Sequence, residues 1–290
     1  MKIPSTTEGR LENISQTIWA LEERQRAEPL PKLERLNLLR SHYEIQQLRE
    51  EELEIPKKDR SFLYLNEKSE SQVLLVHGGH STPATYIQLG KNLYRAGMTV
   101  YATLLPNEET VGFQRGDVPW QLSRSELELR YDLLTHLGPD IHVVGSSFGC
   151  VLAIGLAAKR PVKSLTLLSP PLKPSLGFPE RMALAWGRLF PRLFEQMVAD
   201  NPQRWMADRY PALREAKRKI RELNCPILAI HAKNNMELDH RSLDAVRRGG
   251  RHKDNKVLLL DDGGHRLLHG KSSSRVEREL LDFIRASSRS

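Results

Sequence analysis

Three short stretches carry the residue types that acyl-transfer chemistry needs: His77-Gly78-Gly79-His80, Gly145-Ser146-Ser147-Phe148-Gly149 and Gly263-Gly264-His265. The middle one is a Gly-x-Ser-x-Gly pentapeptide. A β-branched apolar run, 141–144, leads into it and a helix-forming run follows, so it reads as strand, sharp turn and helix. Such a turn forces its central residue into a strained backbone conformation, and only Gly145 and Gly149, lacking side-chain bulk, leave room for it. Ser147 is therefore the candidate nucleophile. The Phe148 amide sits at a helix start, where unpaired donors and the helix dipole can stabilise a developing oxyanion. A second donor is expected from the loop after an upstream strand, where glycine lets the backbone approach substrate, and Gly79 is the candidate. His265, in a glycine-flanked loop after the last strand, is the candidate base and then acid. Of the other histidines, His77 reads as structural and His269 as surface.

The elements that must position these groups alternate. Strands are expected at 61–65, 72–76, 98–104, 141–144, 162–168, 226–231 and 256–260, with helices at 84–96, 122–137, after the serine turn, and at 273–286. Strand-helix alternation calls for a mostly parallel sheet covered on both faces, with right-handed crossovers. The polar stretch between the first two strands suits a hairpin turn. Residues 172–224 interrupt the alternation with a helical insert rich in aromatic residues and methionine, among them Phe178, Met182, Trp186, Met197, Trp205 and Tyr210. That composition suits a cap over an apolar group. Pro179, Pro191, Pro202 and Pro211 are expected to cut it into short helices.

In front lie two expected helices between 8 and 54. The first has a capping box at Ser5 and Glu8 and an apolar face of Leu11, Ile14, Ile18 and Leu21. The second carries Leu33, Leu36, Leu39, Tyr43 and Leu48. Packing against the catalytic domain is the default for these stripes, and a homodimer through the N-terminal helices is the alternative. The division that follows is a helical extension over 1–57 and a catalytic domain over 58–290.

The 290 residues suffice for one sizeable α/β domain with additions. No apolar run approaches the length of a membrane span, and the start lacks the apolar core of a signal peptide, so no integral membrane association and a cytoplasmic location are expected. The formal net charge of +8 would suit nucleic acid, but the bases are interleaved with acids and no nucleic-acid motif accompanies them. A solvated basic surface is the simpler account. Cys150 and Cys225 fall where small buried hydrophobes would sit and read as reduced core thiols.

From about residue 61 onward the chain resembles the α/β-hydrolase superfamily, and within it small bacterial carboxylesterases and monoacylglycerol lipase-like enzymes. The resemblance rests on Leu74-Leu75-Val76-His77-Gly78-Gly79, the serine pentapeptide, Pro226-Ile227-Leu228-Ala229-Ile230-His231-Ala232 and Gly263-Gly264-His265. It implies an α/β-hydrolase fold with a helical cap, ester hydrolysis through an acyl-serine, a small ester or lipid-like substrate, and neither metal nor organic cofactor. In that pattern Ser147 matches the nucleophile, His265 the base, and Gly79 with Phe148 the oxyanion hole. The sequence departs from the pattern at the acid: the matching position holds Asn235. Glu237 or Asp239, on the same loop, could supply the carboxylate; Asn235 could orient the histidine in a slower enzyme; or catalysis is lost and the chain is a binding protein on a hydrolase scaffold. An acyltransferase or thioesterase is a further alternative on the same motif. The loop at Asn107-Glu108-Glu109 also departs from the resembled pattern.

Overall fold

The computed structural model describes residues 7–79, 81–106, 119–173 and 204–289. Seven strands form one sheet: β1 (Phe62–Tyr64), β2 (Ser71–Val76), β3 (Thr99–Thr103), β4 (Asp140–Ser146), β5 (Ser164–Leu168), β6 (Ile227–Ala232) and β7 (Lys256–Leu260), in the order β1-β3-β2-β4-β5-β6-β7. All neighbours are parallel except β1, which runs antiparallel to β3. The expected hairpin between the first two strands does not form, because β3 lies between them. β2 is apolar and buried on both faces, so it takes a central place with parallel partners on either side. The three-residue, half-buried β1 is suited to an edge.

The helices are α1 (Thr7–Ala27), α2 (Lys32–Glu52), α3 (Ile87–Arg95), α4 (Trp120–Thr135), α5 (Phe148–Ala157), α6 (Arg204–Lys219), α7 (Asp244–Gly249) and α8 (Ser273–Arg289). Side chains alternate between the two faces of the sheet. Leu74, Val76, Val143, Leu165 and Ala229 point into a core shared with α4, α5 and α6. Val73, Leu75, Val144, Leu228 and Ile230 point into a second core, with α3 and α8. This two-sided cover is why the strand sequences read as continuous apolar runs.

α1 and α2 enclose a small apolar cluster of Ile18, Leu30 and Leu38. The other side of α2 meets the sheet, and Leu39 joins the larger core beside Tyr101 and Tyr131. Leu33, expected in the apolar stripe, is instead exposed, since it lies in the first turn before α2 engages its partners. Pro211 does not end a helix. It sits inside α6 on an exposed position, where the helix tolerates one missing backbone bond. Cys150 and Cys225 are both free and buried. Residues 174–203, which hold Phe178, Met182, Trp186, Met197 and the first three of the insert's prolines, lie outside the described residues, as do Ser5 of the capping box and the loop at Asn107-Glu108-Glu109. Among the described residues no helix is long and apolar enough to cross a membrane.

Candidate active site

β4 ends in a turn that places Ser147 at φ 51° and ψ −123°, a conformation rarely adopted by residues with a side chain, and α5 starts at the next residue. Its neighbours explain why glycine flanks it. A Cβ on Gly149 would lie 2.2 Å from the Val76 carbonyl oxygen, and one on Gly145 would lie 2.6 Å from the Gly149 carbonyl oxygen. The strained turn is held by the Ser147 amide, which donates to the Leu168 carbonyl at 2.9 Å, and by the buried Cys150 thiol beneath it, 3.2 Å from the Gly145 carbonyl. Burial pushes that thiol's pKa up, so it stays protonated and serves as packing. The guanidinium of buried Arg209 stacks 5.2 Å from the centre of the Phe148 ring, a contact that no local sequence pattern announces.

The loop after β2 lies against this turn. A Cβ on Gly78 would stand 3.0 Å from Ser147 Cβ and 3.6 Å from its Oγ, so only glycine brings the backbone this close. Buried His77 fixes the loop. Its Nε2 accepts the Leu105 amide at 2.9 Å, so in the neutral ring the proton is on Nδ1, which donates to the Gly78 carbonyl at 2.8 Å. Burial lowers the His77 pKa to about 4, which keeps the ring neutral at physiological pH.

The loops after β6 and β7 are neighbours because their strands pair, and polar side chains tie them together. Asn234 donates to Asp262 at 2.6 Å and accepts the Gly264 amide at 2.9 Å, while Lys233 pairs with Asp261 at 2.6 Å. Gly263 and Gly264 both adopt positive φ, turning the chain so that His265 faces the strand ends. Ser169, itself at φ 50°, donates to the His265 carbonyl at 3.0 Å; this anchor, after β5, was not foreseen from the sequence.

The three candidates for the acid sit in different places. Asn235 faces His265, with Nδ2 3.3 Å from Nδ1. Its Oδ1 accepts the amides of Glu237 and Leu238 at 3.0 and 3.1 Å, which fixes the side-chain amide with its N–H toward the ring. Glu237 approaches the opposite nitrogen: Oε2 lies 3.6 Å from His265 Nε2. Asp239 is engaged elsewhere. It caps a turn through the Arg241 amide and pairs with the guanidinium of Arg241 and with Lys173, and Arg241 foremost holds its carboxyl down to about 2. Burial lowers the pKa of His265, against a smaller upward pull from Glu237.

Gly78, Gly79, Ser146, Ser147, Glu237, Leu238, His265 and His269 are among the residues lining one cavity of about 360 Å³ at the C-terminal ends of the strands. A larger groove, about 570 Å³, lies between the N-terminal helices and the sheet, lined by Trp19, Glu50 and Leu105 among others and by none of these site residues. Gly79, Ser147 and His265 thus share one space. Among the described residues no cluster of histidine, cysteine and carboxylates could hold a metal ion. A serine on a strained turn, a half-buried imidazole and a helix N-terminus around one cavity can together attack a carbonyl, carry the serine's proton and hold the negative oxygen that forms.

The sequence model of the Alpha/beta hydrolase family matches residues 73–279. Over 119 residues the chain is 31% identical to "Probable lysophospholipase BODYGUARD 2" of Arabidopsis thaliana, a match covering 37% of this chain and 24% of that protein. The chain thus spans about a quarter of the length of that relative. Solved structures with the same fold include one reported for LipS and LipT, two metagenome-derived lipolytic enzymes, with a TM-score of 0.64 and 16% identity over 79% of this chain and 98% of that one. The monoacylglycerol lipase of Paleococcus ferrophilus gives a TM-score of 0.62 at 17% identity, over 78% and 98%. A monoglyceride lipase of Saccharomyces cerevisiae gives 0.58 at 13% identity, over 78% and 91%.

Proposed function

The chain belongs to the alpha/beta hydrolase family, and from that premise we propose that it is a serine hydrolase cleaving carboxylic esters, of short or medium acyl chains or of monoacylglycerols. Ser147 Oγ attacks the ester carbonyl while His265 Nε2 takes its proton. The amides of Gly79 and Phe148 hold the oxyanion. Collapse expels the alcohol, which His265 protonates, and a water activated by the same ring then releases the acid from Ser147. The observation that carries this reading is the strained Ser147 at the head of α5, sharing a cavity with His265 and Gly79. The names of the similar proteins, lipolytic enzymes and glycerol-ester lipases, support a lipid-like ester.

Asn235 takes the place of the acid in this proposal. Because it presents an N–H to Nδ1, it favours the proton on Nε2, the nitrogen that must be bare to act as base. The expected enzyme is slow. The same observation favours the second reading, a non-catalytic binding protein on the hydrolase scaffold. On the hydrolase reading we assign residues 1–57 to a helical extension, 58–290 to the catalytic unit and 172–224 to its cap; a homodimer through the N-terminal helices and a cytoplasmic location belong to the same working picture. Steady-state hydrolysis of a short-chain p-nitrophenyl ester, with Ser147→Ala as control and fluorophosphonate labelling alongside, separates the readings. Turnover and labelling lost in Ser147→Ala support the hydrolase. Equal rates and no labelling of either chain favour the binding protein.

A further inference from the structure

The N-terminal hairpin is joined to the sheet by buried polar groups as well as by leucines. Gln46 Nε2 donates to Ser61 Oγ at 2.6 Å and to Thr103 Oγ1 at 3.2 Å, and Gln46 Oε1 accepts the Tyr101 hydroxyl. Glu50 takes both the amide and the hydroxyl of Ser61, at 2.8 and 2.5 Å. Ser61 Oγ also accepts the Leu104 amide, at 2.7 Å, so its one donor and two acceptor sites are all filled. The next residue, Leu105, donates its amide to His77 Nε2, and His77 Nδ1 donates to the Gly78 carbonyl.

One peptide plane contains the Gly78 carbonyl and the Gly79 amide, and in a trans peptide they point in opposite directions. Among the described residues there is no cis peptide bond. Holding the Gly78 oxygen on His77 therefore aims the Gly79 N–H away from the ring. On the strength of the serine hydrolase reading, we propose that the α1–α2 hairpin is a positioning element for the oxyanion loop. It acts from Gln46 and Glu50 through Ser61 and the Leu104-Leu105 segment to His77 and the Gly78–Gly79 peptide. None of these side chains lines the cavity around Ser147. Their effect is on where one amide points.

Ser61→Ala removes the acceptor for Leu104 and Gln46 while leaving the catalytic groups in place. Displacing a transition-state donor by a fraction of an ångström to an ångström costs about tenfold to a hundredfold in rate. The expected result is a kcat lower by about that factor with KM within about twofold. Gln46→Leu should act in the same direction, and the double variant should cost little more than Ser61→Ala alone. Ile18→Ala, in the apolar cluster between α1 and α2, is the matched control: it lowers the melting temperature and leaves kcat unchanged.

Hydrogen exchange supplies a readout that needs no turnover. In Ser61→Ala, exchange should quicken at both 104–105 and 77–79 while β4 stays protected. Faster exchange at 104–105 alone, or equal kcat losses in Ser61→Ala and Ile18→Ala, would overturn the coupling. Where Ser61→Ala does not fold, Gln46→Leu, which removes both donated bonds without adding a charge beside Glu50, is carried through the same two measurements with the same criteria. Absence of Ser147-dependent turnover in the wild-type chain would sink the hydrolase reading, and exchange alone would then decide the coupling.

Discussion

Asn235→Asp is the substitution with the largest expected gain. The side-chain amide cannot simply turn over to offer its oxygen to His265, because that oxygen already accepts the Glu237 and Leu238 amides. Giving up those two bonds costs about 2 kcal/mol at roughly 1 kcal/mol each. For Nε2 to be bare, Nδ1 must carry the proton and face an N–H, and Asn235 brings no charge to stabilise the imidazolium formed as Ser147 attacks. The aspartate variant keeps the oxygen on the two loop amides and puts a second oxygen where Nδ2 stood, 3.3 Å from the ring. The reverse change in a serine protease lowers turnover by about 10⁴. The contact here is longer, so the expected increase in kcat is about 10² to 10³, equivalent to about 3–4 kcal/mol. The assay is ester hydrolysis across pH, with Ser147→Ala/Asn235→Asp as background. A carboxylate beside Nδ1 favours the protonated ring, so the acid limb of kcat/KM should move to higher pH. An unchanged or lower kcat in a variant that melts like wild type would refute the tautomer argument.

Glu237→Gln removes the negative charge near Nε2, so the His265 pKa falls further and the acid limb moves to lower pH. Because Glu237 is two-thirds exposed, the shift should be small and fade in added salt, measurable as pH profiles at two ionic strengths. Gly149→Ala should prevent folding or destabilise by several kcal/mol, read as loss of soluble protein or a fall in urea midpoint, since its Cβ would overlap two backbone oxygens of the β2 end. His142, tied between Ser164 and Ser288 at 2.7 and 3.0 Å, has its pKa lowered by burial to about 4. The unfolded chain binds that proton first, so the neutral ring's contribution is intact above about pH 6.5 and is lost progressively as pH falls toward 4. The loss is up to about 3 kcal/mol. Urea denaturation at pH 7 and pH 5 should show it, and His142→Gln should flatten the difference.

The serine turn was legible because its requirements are local: two glycines, a β-branched run before and a helix former after. The parallel sheet was legible for a similar reason, since strands buried on both faces are written as apolar runs. The pairing of β1 with β3 was not, because a polar connector of six residues fits a hairpin as well as a passage across an intervening strand. Nor could spacing say which of Asn235, Glu237 and Asp239 meets which nitrogen of His265. The three lie within five residues, and their fates are decided by distant partners: the loop amides for Asn235, Arg241 and Lys173 for Asp239. Arg209 over Phe148 and Ser169 beneath His265 went unnoticed because each acts across the fold and belongs to no motif.

The polar seat of α2 also bears on the order in which the chain can fold as it is made. α1 and α2 can close on one another early, since Ile18, Leu30 and Leu38 are near in sequence. Ser61, which docks Gln46 and Glu50, is also near, but the β3 groups that complete the seat are not. Gln46 bonds Tyr101, 55 residues later, and Thr103, 57 residues later. Until β3 emerges, Gln46 lacks the two partners that β3 supplies, so burying it would leave those bonds unmade, and water keeps that face of the nascent hairpin from premature collapse. The two helices that precede every strand of the sheet in this chain therefore settle only after β3 is made, on an edge of the sheet that has already formed.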